Sequence, residues 1–137
     1  HFRLKFVNKD EIIFREGLKK SILELSKNNK VILIYPFPEF AENVTKKLIF
    51  FPEKKITTDY ETYLERSSNI LKIFDKINNN NIYKVRPDKI FCDSFVKNKC
   101  VANTNKFIFY EDTNHLERAG INIIRAKIID QFKNIEF

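Results

Sequence analysis

The sequence predicts a three-layer α/β/α domain, in which helices cover a mostly parallel sheet. Two observations lead to this prediction. Residues 31–35 form the continuous apolar run Val-Ile-Leu-Ile-Tyr, which is typical of a strand buried on both faces. Segments with apolar residues at helical spacing alternate with this run and with other extended segments. The length of 137 residues suits one domain, which we expect to span residues 1–137.

The first predicted elements are a strand and a helix. Residues 2–7 alternate apolar and basic side chains, which is typical of a short strand. Asp10 is a plausible N-cap of a helix that continues to about Lys27, where two asparagines favour a stop. The apolar residues of this helix recur at helical spacing and are expected to face the core. They are Phe14, Leu18, Ile22 and Leu25.

The run of residues 31–35 is predicted to be followed by two helices. The strand ends at Pro36, because proline has no backbone N–H to continue a ladder. Residues 41–48 are predicted to form a short helix, and Thr58 or Asp59 is predicted to cap a longer one. The inner face of the longer helix is predicted to contain Tyr63, Ile70, Leu71, Phe74 and Ile77.

The second half of the chain is predicted to add two strands and a final helix. Residues 82–85 form a short strand that Arg86 and Pro87 interrupt, and residues 106–110 are predicted to form another buried strand. Residues 116–132 form the C-terminal helix. Its apolar face is predicted to comprise Ile121, Ile124, Ile128 and Phe132.

Composition excludes several kinds of protein. Two glycines in the chain cannot form a Gly-rich phosphate loop, and two histidines with two cysteines are too few for a Cys/His zinc site. We therefore expect no cofactor and no metal. The Lys and Arg residues behind the net charge of +7 are dispersed, so we expect a solvated surface rather than a nucleic-acid interface. A mild attraction to anionic lipid or acidic glycan is compatible with this charge.

The stretch from Phe107 to Leu116 is the most informative about function, because a predicted strand is followed by an acidic turn, a histidine and a helix. His115 is the only interior histidine, and Asp112 precedes it by three residues. This spacing brings a carboxylate beside an imidazole at a strand end, where ligands bind in α/β domains. In the alternative interpretation, Asp112 or Thr113 only caps the last helix, and His115 lies in its first turn without a role.

Cys92 and Cys100 are eight residues apart and form no CxxC motif. A disulfide between them would close a small loop, stabilise the fold by roughly 2.5 kcal/mol on the chain-entropy model, and indicate an oxidising compartment. The alternative is a pair of reduced, half-buried thiols in a cytoplasmic protein. The disulfide is the interpretation we favour.

A nucleophile to accompany Asp112 and His115 is not evident. An activated serine is expected on a sharp turn after a strand, beside a glycine and N–H groups that can stabilise an oxyanion. None of the serines has this setting. They are Ser21, Ser26, Ser67, Ser68 and Ser94. The chain therefore offers a base and a carboxylate to orient it, without a convincing nucleophile.

Three stretches, in this order, resemble the second half of an SGNH (GDSL-like) hydrolase domain. They are VILIYPFPE at residues 31–39, Phe91-Cys92-Asp93 with Cys100, and FYEDTNHL at residues 109–116 with Ala119-Gly120. More narrowly, they resemble the extracytoplasmic SGNH domain at the C-terminus of membrane acyltransferases of acyltransferase family 3 (AT3). The cysteine pair ahead of a strand and the ending D-x-x-H-L-x-x-x-G are the specific part of the resemblance.

The resemblance implies an O-acyltransferase that transfers an acyl group, usually acetyl, to a cell-surface polysaccharide such as lipopolysaccharide or peptidoglycan. In such proteins the membrane domain of the same polypeptide supplies the acyl group, and the SGNH domain transfers it at the periplasmic face of the bacterial inner membrane. The D-x-x-H motif of the family supplies two members of a Ser-His-Asp triad. By this resemblance, His115 deprotonates the serine or the sugar hydroxyl, and Asp112 orients His115.

The sequence departs from the family pattern at its start. The Ser, oxyanion Gly and Asn blocks of the family lie upstream of the position of Phe14 and are not found here. We therefore expect this chain to be the C-terminal part of an SGNH domain, catalytically incomplete by itself. An uncovered sheet edge is then expected to permit self-association. The alternative function is a non-catalytic α/β domain that binds glycan or protein.

Overall fold

The described part of the computed structural model, residues 9–133 and 135, contains helices and short strands in alternation, as the predicted α/β class requires. The predicted strand of residues 2–7 lies outside the described residues. In chain order the elements are α1 (Lys9–Ser26), β1 (Val31–Ile34), α2 (Val44–Phe50), β2 (Thr57–Asp59), α3 (Tyr60–Asp75), β3 (Ile82–Val85), α4 (Asp88–Phe91), β4 (Lys99–Val101) and α5 (Arg118–Lys133).

The strands pair into two small sheets. β1 and β3 form the predicted parallel pair, with Val31 opposite Ile82, and α2 and α3 lie in the crossover between them. A crossover that contains helices is the usual way to connect parallel strands. β2 and β4 form an antiparallel pair, which the sequence did not predict, with Thr57 opposite Val101.

Aromatic rings dominate the main core. The ring of Tyr110 meets Phe40 edge-on at 4.8 Å between centroids and meets Phe91 at 5.5 Å. Such edge contacts are the preferred geometry for aromatic pairs. A second, smaller core lies where α1 and α3 cover the β1–β3 pair. Its buried members are Ile22, Leu33, Ile73 and Ile77.

The predicted apolar faces of the first and last helices are only partly correct. In α1, Ile22 is buried, but Phe14 is exposed, because the helix packs against β1 and α3 along a narrow stripe. Leu25 lies beyond this stripe and is also exposed. In α5, Ile124 is buried, whereas Ile121 and Phe132 are exposed. The inner face predicted for the longer helix, now α3, is confirmed at its buried Tyr63 and Leu71, whereas Ile77 is buried but lies beyond the end of α3.

Residues 106–110 do not form the continuous buried strand that their apolar character predicts. Ile108 and Tyr110 make only isolated bridges, to Asn103 and Leu116 respectively. Both partners lie close in sequence, so the chain turns away before a second pair of residues can form. Phe107 and Ile108 are exposed. Similarly, Ile34 at the end of β1 is exposed, so β1 is not buried on both faces.

Three helix starts differ from the prediction. Asp10 lies inside α1, which already includes Lys9, so it is not the N-cap of this helix. The other two differ for local reasons. α2 begins at Val44, because the side chain of Asn43 accepts a hydrogen bond from the N–H of Lys46 at 2.9 Å and acts as the N-cap. α5 begins at Arg118 and not at Leu116, because Leu116 is engaged in the bridge to Tyr110.

The disulfide between Cys92 and Cys100 is present and joins the end of α4 to β4. Both cysteines are buried against the main core. On the chain-entropy model, closing a loop of this size stabilises the fold by about 2.5 kcal/mol. No cysteine of the described residues is free.

Gly120 allows α5 to begin against the backbone of the preceding segment. A Cβ atom at this position would lie 2.3 Å from the carbonyl oxygen of Phe109 and 2.9 Å from Cδ2 of Leu116. The same carbonyl oxygen accepts a hydrogen bond from the N–H of Glu117 at 2.8 Å, so it is held in place. By contrast, a Cβ atom at Gly17 in α1 would have no atom within 4 Å.

We expect Gly120→Ala to lower the free energy of unfolding by about 1–3 kcal/mol, because a backbone atom must move to admit the methyl group. Gly17→Ala is the matched control. It should raise the free energy of unfolding by about 0.5–1 kcal/mol, because alanine is favoured over glycine inside a helix. Denaturant unfolding followed by circular dichroism measures both. Equal effects of the two substitutions would contradict the packing constraint at Gly120.

Candidate active site

Asp112 and His115 lie in a tight turn that the bridge between Tyr110 and Leu116 closes. Within the turn, the N–H of Glu111 donates to the carbonyl oxygen of His115 at 2.9 Å. The turn ends before α5 begins at Arg118. The interpretation in which His115 lies in the first turn of the last helix is therefore wrong.

Both oxygens of the Asp112 carboxylate accept hydrogen bonds. Oδ1 accepts from the backbone N–H groups of Asn114 at 2.9 Å and His115 at 2.8 Å. Oδ2 lies 2.8 Å from Nδ1 of His115. A carboxylate at Nδ1 favours the proton on that nitrogen, which leaves Nε2 of the neutral ring with a free lone pair. The spacing of three residues thus brings the two side chains into direct contact, as the sequence predicted.

These contacts shift the pKa values of both groups. The backbone N–H groups of Asn114 and His115, together with the imidazole, lower the pKa of Asp112 to about 2. The hydrogen bond to Asp112 and its negative charge raise the pKa of His115. A nearby carboxylate stabilises the imidazolium that forms when a base takes a proton. The side chain of His115 is 74% exposed, so its ring is accessible from solvent.

Backbone hydrogen bonds fix the turn to the chain around α2. The N–H of Phe40 donates to the carbonyl oxygen of Thr113 at 2.8 Å, and the N–H of Thr45 donates to that of Glu111 at 3.1 Å. Thr45 lies in the first turn of α2, where N–H groups have no partner within the helix. The turn is therefore bound to α2 as well as to its own flanks.

A second polar cluster, which the sequence analysis missed, lies where β1 and β3 end. The fully buried carboxylate of Asp88 accepts two hydrogen bonds from Arg86, each of 2.9 Å, and one from the hydroxyl of Tyr60 at 2.9 Å. The guanidinium of Arg86 also stacks on the ring of Tyr35 at 4.4 Å. Burial raises the pKa of Asp88, but these hydrogen bonds outweigh burial and keep the pKa below its usual value.

The charged groups of the Arg86 cluster are paired with one another, whereas Nε2 of the neutral His115 ring keeps a free lone pair. Each charge has an opposite partner, and Asp75 pairs with Arg86 on the outer side at 3.4 Å. Removing Arg86 would leave the buried charge of Asp88 without its partner, which costs more free energy than the intact pair contributes. The only signal for it in the sequence was an arginine two residues before an aspartate at the end of a predicted strand.

No serine forms a hydrogen bond with Asp112 or His115 within residues 9–133. The hydroxyl groups of Ser21, Ser26 and Ser94 donate to carbonyl oxygens three or four residues earlier. Ser67 and Ser68 lie within α3. The described residues thus bring together the predicted base and its carboxylate, and they add no serine nucleophile.

The described residues contain no group of three or more His, Cys, Asp or Glu side chains that could hold a metal ion. Among the helices that the structure describes, none combines the length and apolar character that crossing a membrane requires.

Comparison with known proteins gives one family. The family model described as "SGNH domain (fused to AT3 domains)" matches residues 3–130, a range that includes both cysteines and the turn with Asp112 and His115. No curated protein and no solved structure shows significant similarity to the chain.

The pKa of His115 offers a direct test of the pair. We expect His115 to titrate above the usual value of 6.5, and Asp112→Asn to return its pKa toward 6.5, because the negative partner is lost. Proton NMR of the imidazole C–H groups measures this. Asp130→Asn, on the exposed face of α5, should leave the His115 titration unchanged. An unchanged pKa in Asp112→Asn would contradict the contact.

The sign of the linked stability change follows from the same shifts. The raised pKa of His115 means that its contribution is complete below pH 6.5 and is lost as the pH rises through the folded-state pKa. The lowered pKa of Asp112 means that its contribution is present above pH 3.8 and is lost as the pH falls through about 2. The contact between Asp112 and His115 therefore stabilises the fold most between pH 3.8 and pH 6.5.

Proposed function

Because this chain belongs to the SGNH domains that are fused to AT3 domains, we propose that it serves the transfer step of a membrane O-acyltransferase. The acceptor in this proposal is a cell-surface polysaccharide, lipopolysaccharide or peptidoglycan, and the acyl group is acetyl. The AT3 domain of the same polypeptide supplies the acyl group. The observation that carries the proposal is the 2.8 Å contact between Asp112 and Nδ1 of His115, with the imidazole ring exposed.

In the proposed mechanism, His115 is the general base and Asp112 orients it. Nε2 of His115 takes the proton of a hydroxyl group as its oxygen attacks the acyl carbonyl carbon. The Asp112 carboxylate stabilises the imidazolium that results. When the carbonyl re-forms and the bond to the leaving oxygen breaks, the imidazolium returns the proton to that oxygen. The attacking hydroxyl belongs to a serine in the first half of the reaction and to the sugar in the second.

The serine is the part of the proposal that the described residues do not provide. Since none of their serines bonds to His115, we propose that residues 1–137 are the C-terminal part of one SGNH domain and that the serine and its oxyanion donors belong to another part. In a second form of the mechanism, His115 activates the sugar hydroxyl directly, and no serine is needed.

The disulfide supports a location on the periplasmic face of the bacterial inner membrane. Cys92 and Cys100 are joined, and disulfides persist in oxidising compartments such as the periplasm. A cell-surface glycan is accessible from that side. The exposed ring of His115 suits an acceptor too large to enter a closed pocket.

Self-association through a sheet edge is a further part of the proposal. Within the described residues, β1 and β3 each pair with one strand only, so each has one edge without a described partner strand. Unpaired strand edges favour association between chains. We expect light scattering to give a mass above that of the monomer at high concentration, and a monomer at all concentrations would contradict this.

The second candidate function is non-catalytic binding of glycan or protein by the same α/β domain. The absence of a serine bonded to His115 among the described residues favours it, as does the net charge of +7, which would attract acidic glycans. The two candidate functions differ in one respect that can be tested, namely whether acylation depends on the imidazole of His115.

We expect His115→Ala and Asp112→Asn, in the full-length protein that contains this chain, to reduce glycan acylation at least about a hundredfold, because each removes the base or its orientation. The measurement is the acyl group released from cell-surface glycan by mild alkali, at protein levels matched by immunoblot. Asp130→Asn, whose carboxylate pairs with Lys133 on exposed α5, is the control and should acylate normally. Full acylation by His115→Ala would overturn the catalytic role and favour the binding function.

A further inference from the structure

The end of α2 exposes apolar side chains to an unusual degree. Ile49 and Phe50 are 75% and 76% exposed, the two highest values among the large apolar side chains that the structure describes, and Phe51 is 56% exposed. The three residues are consecutive, and Pro52 follows them. Single exposed apolar residues are ordinary in soluble domains, but a contiguous group of large ones marks an interaction surface. We call residues 46–55 the α2 tip.

Lysines flank the apolar side chains of the α2 tip on both sides. Lys46 and Lys47 precede them, and Lys54 and Lys55 follow. Lys47 and Lys54 both pair with Glu42, at 2.7 Å and 3.1 Å. Lys46 and Lys55 form no ion pair with any described residue, so their charges are free for an external partner.

One of these lysines contacts the apolar group directly. The ammonium group of Lys47 lies 5.2 Å from the centroid of the Phe51 ring. Lys46 occupies the same short helix as Ile49 and Phe50. An apolar projection with lysines before and after it in the chain matches the two layers of an anionic membrane surface, with acyl chains below and phosphates above.

We propose that the α2 tip is a membrane-docking surface, in which Ile49 and Phe50 insert into a bilayer containing anionic lipid and Lys46, which has no ion pair among the described residues, contacts a phosphate group. The positive charge of the α2 tip favours this partner, because each lysine near an anionic surface adds to the attraction. An apolar protein partner would offer these lysines no opposite charge. The proposal depends on the side chains of α2 and not on the chemistry of His115, so it and the proposed function can fail separately.

Docking through the α2 tip would place the candidate active site near the membrane. α2 has seven residues and is therefore about 10 Å long. Its first turn donates a hydrogen bond from Thr45 to the turn that holds Asp112 and His115. Ile49 and Phe50 thus lie at the other end of the same short helix from this hydrogen bond, and docking would hold the turn that carries His115 near the lipid.

A tryptophan reporter tests insertion directly, because the chain contains no tryptophan of its own. In the 137-residue chain, Phe50→Trp should show a blue shift of its emission with vesicles of phosphatidylglycerol and phosphatidylethanolamine, and quenching when the acyl chains are brominated. Phe132→Trp, at an exposed position of α5, is the matched control and should show neither effect. No blue shift and no quenching for Phe50→Trp would overturn the proposal.

Affinities from vesicle sedimentation separate the apolar and charged contributions. Phe50→Ser should weaken binding about tenfold or more, because the area that it buries is lost. Lys46→Ala should weaken it about fivefold. Phe132→Ser and Lys127→Ala, both at exposed positions of α5, should leave the affinity unchanged. All four positions are exposed, and circular dichroism checks that the variants fold.

Other outcomes would assign the α2 tip differently. Binding to phosphatidylcholine vesicles as strong as to the anionic ones would overturn the role of the lysines. Equal losses in the α2 and α5 variants would overturn the role of the α2 tip. A dimer in the absence of lipid that Phe50→Ser abolishes, without any binding to vesicles, would assign the surface to a second copy of the chain and overturn the lipid proposal.

Discussion

The backbone hydrogen bonds of the segment from Phe109 to Glu117 connect this segment to the chain after β4, to the chain around α2 and to the start of α5. Phe109 donates to Ala102 beyond β4 and accepts from Glu117 ahead of α5, and the turn in between accepts from two residues around α2. Regular secondary structure satisfies few of these groups, so each must find a specific partner elsewhere. This requirement explains why Gly120 sits against Phe109: the first turn of α5 can approach closely enough only without a side chain.

Elements with a long or strongly periodic pattern could be predicted from the sequence. α1, β1, α3, β3 and α5 lie close to their expected positions, because helical spacing and β-branched runs are local properties. The strand expected at residues 106–110 was wrong, because a strand needs a neighbour, and the chain beside this segment turns away after single bridges. The exposure of Phe14 and Leu25 was missed for a related reason: the width of a buried stripe depends on what packs against it.

The candidate site, like the fold, could be predicted from the sequence only in part. The contact of Asp112 with His115 follows from a spacing of three residues, so the sequence could indicate it. The hydrogen bonds that anchor their turn come from residues more than sixty positions earlier and left no pattern to detect. The same is true of Asp88, whose burial depends on Tyr60 in another helix. Local chemistry was therefore predictable, whereas the supports around it depend on the tertiary fold.

The covalent link between Cys92 and Cys100 has a consequence for proteolysis. The residues between them form a closed ring that includes the exposed Lys97, where the chain adopts no helix or strand. A trypsin-like protease that cut after Lys97 would open this ring without releasing a fragment, since the cystine still bridges the cut. The piece with Asp112 and His115 would stay tethered to the rest, and the nick would become visible only after reduction.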